Sequence, residues 1–173
     1  MSGADAAKER DPVGLDDLLG RREIETPAAM EDLGRAIGAR LRAGDLVALT
    51  GPLGAGKTTL TRGIGEGLGI RGPVQSPTFV IARTHPSLVG GPPLVHVDAY
   101  RLGSAAELDD LDIDLTRSAV VVEWGRGMVD GLVDTWWEIE LDREGSGRDA
   151  TPRSDLDLDA DTPRLVTVTR HRA

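Results

Sequence analysis

The chain has no cysteine among its 173 residues, which excludes disulfides, thiolate metal sites and a cysteine nucleophile. It has no asparagine either, so the Asn-Lys-x-Asp motif with which GTPases read guanine cannot be present. Aromatic residues are scarce, with one Tyr and one Phe, leaving few platforms on which single-stranded bases could stack. The formal charge is −9, whereas phosphate backbones are held by clustered basic residues. A free-standing nucleic-acid binder is therefore not expected, nor is direct DNA binding, and any RNA served by this chain would be held by another protein. No apolar run approaches the roughly 18 residues of a membrane span. The start of the chain, with Lys8, Glu9, Arg10 and Asp11 close together, has no signal-peptide core. These absences predict a soluble, cytoplasmic protein without membrane contact.

The most informative stretch is Gly51-Pro52-Leu53-Gly54-Ala55-Gly56-Lys57-Thr58, followed by Thr59. It fits the phosphate-binding pattern G-x-x-x-x-G-K-[ST] at every fixed position. The glycines let backbone N–H groups turn inward around a β-phosphate, a lysine reaches the β- and γ-phosphates, and the following hydroxyl ligates Mg²⁺. The flanks supply the context: Leu46–Thr50 is a short apolar run of buried-strand type, and Leu60, Ile64 and Leu68 recur at helical spacing until Gly69. Strand, glycine loop and helix predict a P-loop NTPase of the α/β class that binds a nucleoside triphosphate with Mg²⁺. Its sheet should be mixed and mostly parallel, flanked by helices, with antiparallel hairpins.

The length suits one domain. Residues 1–20, polar and acidic apart from Leu15, Leu18 and Leu19, read as a disordered tail, and residues 21–173 as a single P-loop ATPase domain. Ile24 lies in a brief extended piece, and Thr26-Pro27 reads as a helix cap with proline at the first helical position. Met30, Leu33, Ile37 and Leu41 line one face of the helix that follows. Phe79–Ala82 and Leu94–Asp98 read as strands that could form a hairpin. Ser104 with Glu107 forms a capping box for a short helix. The acids Asp109, Asp110, Asp112 and Asp114 read as a solvated face. Ala119–Val122 is a buried strand ending in Glu123-Trp124, and Trp137, Ile139 and Leu141 alternate with Trp136, Glu138 and Glu140 as in a half-exposed strand. Residues 144–163 read as a loop and Leu165–Thr169 as the last strand.

A phosphate loop needs a second carboxylate to hold Mg²⁺ or its waters, usually at the end of a neighbouring apolar strand. Two strands qualify here, ending in Glu123 and Asp98. Thr58 and Glu123 are assigned to the metal and Asp98 to its water shell or to the attacking water; the two carboxylates could exchange roles. With Lys57 they form the candidate catalytic set. Ser76 and Thr78 lie in a connection of the kind that senses a γ-phosphate by closing over it. His96, between apolar neighbours, reads as a core histidine or one lying behind the site.

Gly54-Ala55-Gly56-Lys57-Thr58-Thr59, Ser76-Pro77-Thr78-Phe79, His96-Val97-Asp98-Ala99-Tyr100-Arg101-Leu102 and Val122-Glu123-Trp124 together resemble the signature blocks of the TsaE (YjeE) family, in order and spacing, over about Ile24 to Leu141. The resemblance implies a bacterial ATPase needed to make threonylcarbamoyladenosine in tRNA. It implies docking on a complex of the transferase TsaD with TsaB, with the ATP cycle supporting turnover there and tRNA contacted only indirectly. It also implies that Lys57 and Thr58 bind phosphates and Mg²⁺, that Asp98 and Glu123 are the acids of the ATPase site, and that Trp124 packs beside it. The region of Thr26 and Pro27 would lie near the base, and Gly147-Arg148 resembles a late Gly-Arg pair that reaches the nucleotide. Gly125 departs from the proline common in the family at that point. A small-molecule or nucleotide kinase is the rival on the same scaffold, but the clustered arginine lid of such enzymes is missing from the sequence.

Overall fold

The computed structural model describes residues 14–74, 81–143 and 162–173. Ser76, Thr78 and Arg148, and the segments 1–13 and 144–161, lie outside the described residues. Ten elements follow in order: β1 (Gly20–Ile24), α1 (Pro27–Arg40), β2 (Leu46–Thr50), α2 (Lys57–Leu68), β3 (Ala82–His85), β4 (Leu94–Asp98), α3 (Ala105–Asp109), β5 (Ala119–Glu123), β6 (Thr135–Arg143) and β7 (Arg164–Arg172). All seven strands join one sheet in the order β1-β7-β6-β2-β5-β4-β3. The central strands β4, β5, β2 and β6 run parallel. Antiparallel pairs close both edges, β3 on β4 at one side and β7 between β6 and β1 at the other. The sheet is thus the mixed α/β type expected.

Helices cover both faces of the parallel centre, which is why β2 and β5 are apolar up to their last residues, Thr50 and Glu123, instead of alternating. Val47, Leu49, Val121, Ile139 and Leu141 pack on one face with Leu33 and Ile37 of α1 and Leu60 and Ile64 of α2. Leu46, Ala48, Val120 and Val122 pack on the other with Leu108 of α3 and Val129. The start of α1 is capped as the sequence predicts, the Thr26 hydroxyl accepting the Ala29 N–H at 3.1 Å with Pro27 at the first helical position.

Three expectations are corrected. Residues 14–20 are not a tail: a short 3-10 turn, Asp16–Leu18, turns Leu15 and Leu18 into the core, where they are 0% and 9% exposed. Arg40 and Arg170 tie this turn down through Asp17 at 2.7 Å and Asp16 at 3.0 Å. The first strand of the hairpin extends past Ala82 to His85, with Ala82 paired to Val97 and His85 to Leu94, while Phe79 and Val80 of the expected strand lie outside the described residues. As an edge strand exposing Arg83 and Thr84 it has no apolar signature. Trp136 is buried, not half-exposed, because its ring lies in the second core cluster and stacks on His171 at 5.4 Å.

Candidate functional site

The loop Gly51–Gly56 leaves the carboxyl end of β2 and enters α2 at Lys57. A cleft of about 580 Å³ opens over it, lined by Leu53 to Thr59, by Asp98, Glu123 and Trp124, and by Ile24 to Pro27, Met30, Thr162 and Arg164. In an open parallel sheet this is where ligands enter, outside the carboxyl ends of the strands.

The two carboxylates arrive by register. Asp98 pairs with Glu123 across β4 and β5, and Glu123 pairs with Leu49 across β5 and β2. Side chains in register share a face of the sheet. Leu49 and Val121 lie in the cluster beneath α1 and α2, so Asp98 and Glu123 point to the face on which α2 presents Lys57 and Thr58. Asp98 is tied by its Oδ1, which accepts the Tyr100 N–H at 3.0 Å. Glu123 is 5% exposed and its Oε1 has no hydrogen-bond partner among the described residues. His96 Nε2 lies behind it at 3.6 Å.

Lys57 is drawn back onto its own loop, its Nζ donating to the Gly51 carbonyl at 2.6 Å and the Pro52 carbonyl at 3.0 Å. The ammonium also lies 4.3 Å from the centre of the Trp124 ring, a cation–π distance. Burial lowers the Lys57 pKa, while the charges of Glu123 and Asp98 push it back up. Trp124 takes φ = +59°, an uncommon conformation for a bulky residue, and its ring meets that of Tyr100 at 5.2 Å. Gly125 then passes so close to β2 that a Cβ there would fall 2.9 Å from the Ala48 Cβ. Its N–H donates to the Leu49 carbonyl at 3.3 Å, a bond that proline could not make.

The structure therefore brings together Gly54, Ala55, Gly56, Lys57, Thr58, Thr59, Leu53, Asp98, Glu123, Trp124, Thr26 and Pro27 around one cleft. Gly51 and Pro52 contribute the carbonyls beneath Lys57. Sequence reasoning did not single out Ile24, Met30 and Arg164 as cleft residues, nor Arg143 beside the loop. Ile24 and Met30 carry only a core signal, and Arg164 and Arg143 are two arginines among many. The available oxygens, from Thr58, Asp98 and Glu123, form a hard donor set of the kind Mg²⁺ takes, and the unpartnered Glu123 oxygen fits such an ion.

Sheet order, loop and acids define the fold class of a P-loop NTPase. The family model described as threonylcarbamoyl adenosine biosynthesis protein TsaE matches residues 24–150, and the chain belongs to the TsaE family. A relative from Streptomyces coelicolor, named tRNA threonylcarbamoyladenosine biosynthesis protein TsaE, is 63% identical over 117 residues, covering 66% of this chain and 79% of the relative. The Bacillus subtilis protein of the same name is 36% identical over 122 residues, covering 69% and 75%. The crystal structure of Bacillus subtilis YdiB superposes with a TM-score of 0.58 at 26% identity, covering 86% of this chain and 84% of that one.

Proposed function

We propose that this chain is an ATP-binding and ATP-hydrolysing accessory protein of the bacterial machinery that makes threonylcarbamoyladenosine in tRNA, acting in the cytoplasm on the TsaD–TsaB transferase complex. Family membership supports the pathway. The observation that carries the ATPase reading is the pairing of Asp98 with Glu123 at adjacent strand ends, on the face where α2 presents Lys57 and Thr58.

In this reading Thr58, Glu123 and Asp98 would hold Mg²⁺, which would supply positive charge against the β- and γ-phosphates. The chain's own groups do the rest. The loop N–H groups and the start of α2 receive the phosphates. Lys57 exchanges the Gly51 and Pro52 carbonyls for phosphate oxygens, and its charge, disfavoured by burial, gains an anionic partner. Asp98 or Glu123 orients the attacking water. Trp124 closes over Lys57 and limits access of other water. Thr26, Pro27, Ile24 and Met30 form the wall available to the base. Turnover is slow in isolation and rises on the partner, since phosphoryl transfer depends on positioning that the partner completes.

The test is an affinity pull-down from the source cells with this protein as bait, in Mg-ATP, in ADP and without nucleotide. Nucleotide-dependent recovery of TsaD with TsaB is expected. Failure to recover them, together with phosphate transfer from ATP to a small metabolite, would refute the reading in favour of a kinase.

A further inference from the structure

Alternation along β4 puts Leu94, His96 and Asp98 on one face, and the register sets Ala119, Val121 and Glu123 of β5 beside them. Leu94, Ala119 and Val121 belong to the cluster beneath α1 and α2. His96 therefore stands in an apolar row, one step behind the two acids. It is 0% exposed, and neither Nδ1 nor Nε2 has a hydrogen-bond partner among the described residues. His85, which the β3–β4 register puts on the same face, does not serve it, because His85 Nε2 is unpartnered as well. An unpaired polar group in a core costs stability, and a leucine would fill the same space without that cost. Filling space does not account for an imidazole here.

What His96 faces is the acid of the site. Its Nε2 stands 3.6 Å from Glu123 Oε1, itself buried without a partner. An approach of about 0.7 Å would make this a normal N–H···O hydrogen bond. The two acids differ in how they are held. Asp98 is oriented by its own chain, through the Tyr100 N–H at 3.0 Å. Lys57, engaged with the Gly51 and Pro52 carbonyls, gives Glu123 no hydrogen bond. His96 is the one basic side chain paired with Glu123 among the described residues.

We propose that His96 is a positioning residue for Glu123: with a proton on Nε2 it donates to Oε1 and fixes the carboxylate, leaving the other oxygen to the cleft that Glu123 lines. Carboxylates that hold a metal are commonly hydrogen-bonded from behind in this way. The inference rests on the nucleotide-binding reading given above, in which Glu123 serves Mg²⁺.

Two measurements on the full chain test it. Long-range ¹⁵N–¹H NMR of the nucleotide-free protein reports which ring nitrogen of His96 carries a proton, with His96→Gln identifying the signal. A proton on Nε2 is expected, and an Nε2 without one overturns the proposal. The second measurement is the affinity of Mn²⁺ for the chain saturated with AMP-PNP, a non-hydrolysable ATP analogue, read from the electron paramagnetic resonance of free Mn²⁺. His96→Leu fills the space without a donor and is expected to weaken Mn²⁺ about tenfold, the lower end of what losing such a partner costs. Its nucleotide-free melting temperature should hold or rise, since an unpaired polar group is removed. His96→Gln, whose amide can donate from near the same place, should recover part of the affinity. In a Glu123→Ala background His96→Leu should change nothing further, because His96 acts through that carboxylate. Wild-type affinity in His96→Leu overturns the proposal, as does His96→Gln binding no better than His96→Leu, or a further loss in the Glu123→Ala background. Should His96→Leu fail to fold, His96→Gln decides: an affinity nearer wild type than that of Glu123→Ala upholds the proposal, and a loss matching Glu123→Ala overturns it. If the wild-type chain binds neither AMP-PNP nor Mn²⁺ beside it, the nucleotide-binding reading itself fails and this inference with it. Normal wild-type binding with the wrong pattern among the His96 variants overturns this inference alone.

Discussion

Replacing Gly38 by alanine sets two effects of opposite sign against each other. Gly38 lies inside α1, where alanine is the better helix former by about 1 kcal/mol. Propensity alone therefore predicts a more stable protein. The structure predicts the reverse, because α1 and α2 touch backbone to backbone. A Cβ on Gly38 would fall 2.1 Å from the Ile64 carbonyl oxygen, and the contact is reciprocal, with a Cβ on Gly67 2.3 Å from the Arg35 carbonyl oxygen. Carbon-to-carbonyl contacts settle near 3.3 to 3.6 Å, so the helices would have to part by about 1 Å. The obstacle is helix backbone and cannot rotate aside. Overpacking of this kind costs about 1–3 kcal/mol and at times more, and with a rigid obstacle the upper end applies. The net expectation is a loss of about 2 kcal/mol, or about 4–8 °C in melting temperature for a chain of this size. Urea unfolding followed by circular dichroism measures it. An unchanged or higher midpoint would show that the helices are not held at backbone contact and would refute the reasoning.

Lys57→Ala should lose most of the affinity for Mg-ATP, a change that equilibrium binding reads directly; wild-type binding would remove the loop from the function. Asp98→Ala and Glu123→Ala should cut ATP hydrolysis by about a hundredfold or more while leaving ATP binding within about tenfold, as for groups that act on charge developing in the transition state. A variant with normal turnover would take that residue out of the site. Asp45, just before β2, has its carboxyl pKa raised by burial, partly offset by the Arg42 N–H at 2.7 Å. A folded-state pKa above the unfolded one means that its contribution is fully present below the unfolded value and is lost as pH rises through the folded one. Asp45→Asn keeps an acceptor for that N–H and should raise the melting temperature at pH 7, the gain vanishing as pH falls below about 4. A constant difference across that range would refute the burial argument.

Where function resides in contiguous residues, the sequence was readable. Gly51 to Thr58 carries its own pattern, and the apolar strands before Asp98 and Glu123 mark both acids. The register that pairs them is tertiary, but a parallel sheet has so few arrangements that the pairing could be anticipated. What escaped was set by neighbours distant along the chain. Leu15 and Leu18 read as exceptions in an acidic tail because their partners, such as Trp137 and Val168, lie more than a hundred residues away in the same core cluster. β3 gave no apolar signal because an edge strand needs none. The glycines of α1 and α2 look like weak helix formers until the second helix is laid against the first. Arg164 could not be distinguished from other arginines, because its meaning comes from β7 lying beside β6.

This last point bears on how the cleft is built. The chain's final strand does not sit at the sheet's edge; it is inserted between β6 and β1. It therefore joins the earliest strand, which leads through Thr26 into α1, to the strand that flanks the phosphate loop. One wall of the cleft thus depends on an antiparallel unit drawn from the two ends of the described chain, and the opposite wall on the parallel strands β4 and β5. The loop between them is positioned twice, by β2 from below and by the glycine contact of α1 with α2 from the side. Residues 24–30, 51–59, 98, 123–124 and 164 converge only when both units are in place. In the proposed nucleotide-binding function, the loop would receive phosphate and the two walls would select what that phosphate is attached to.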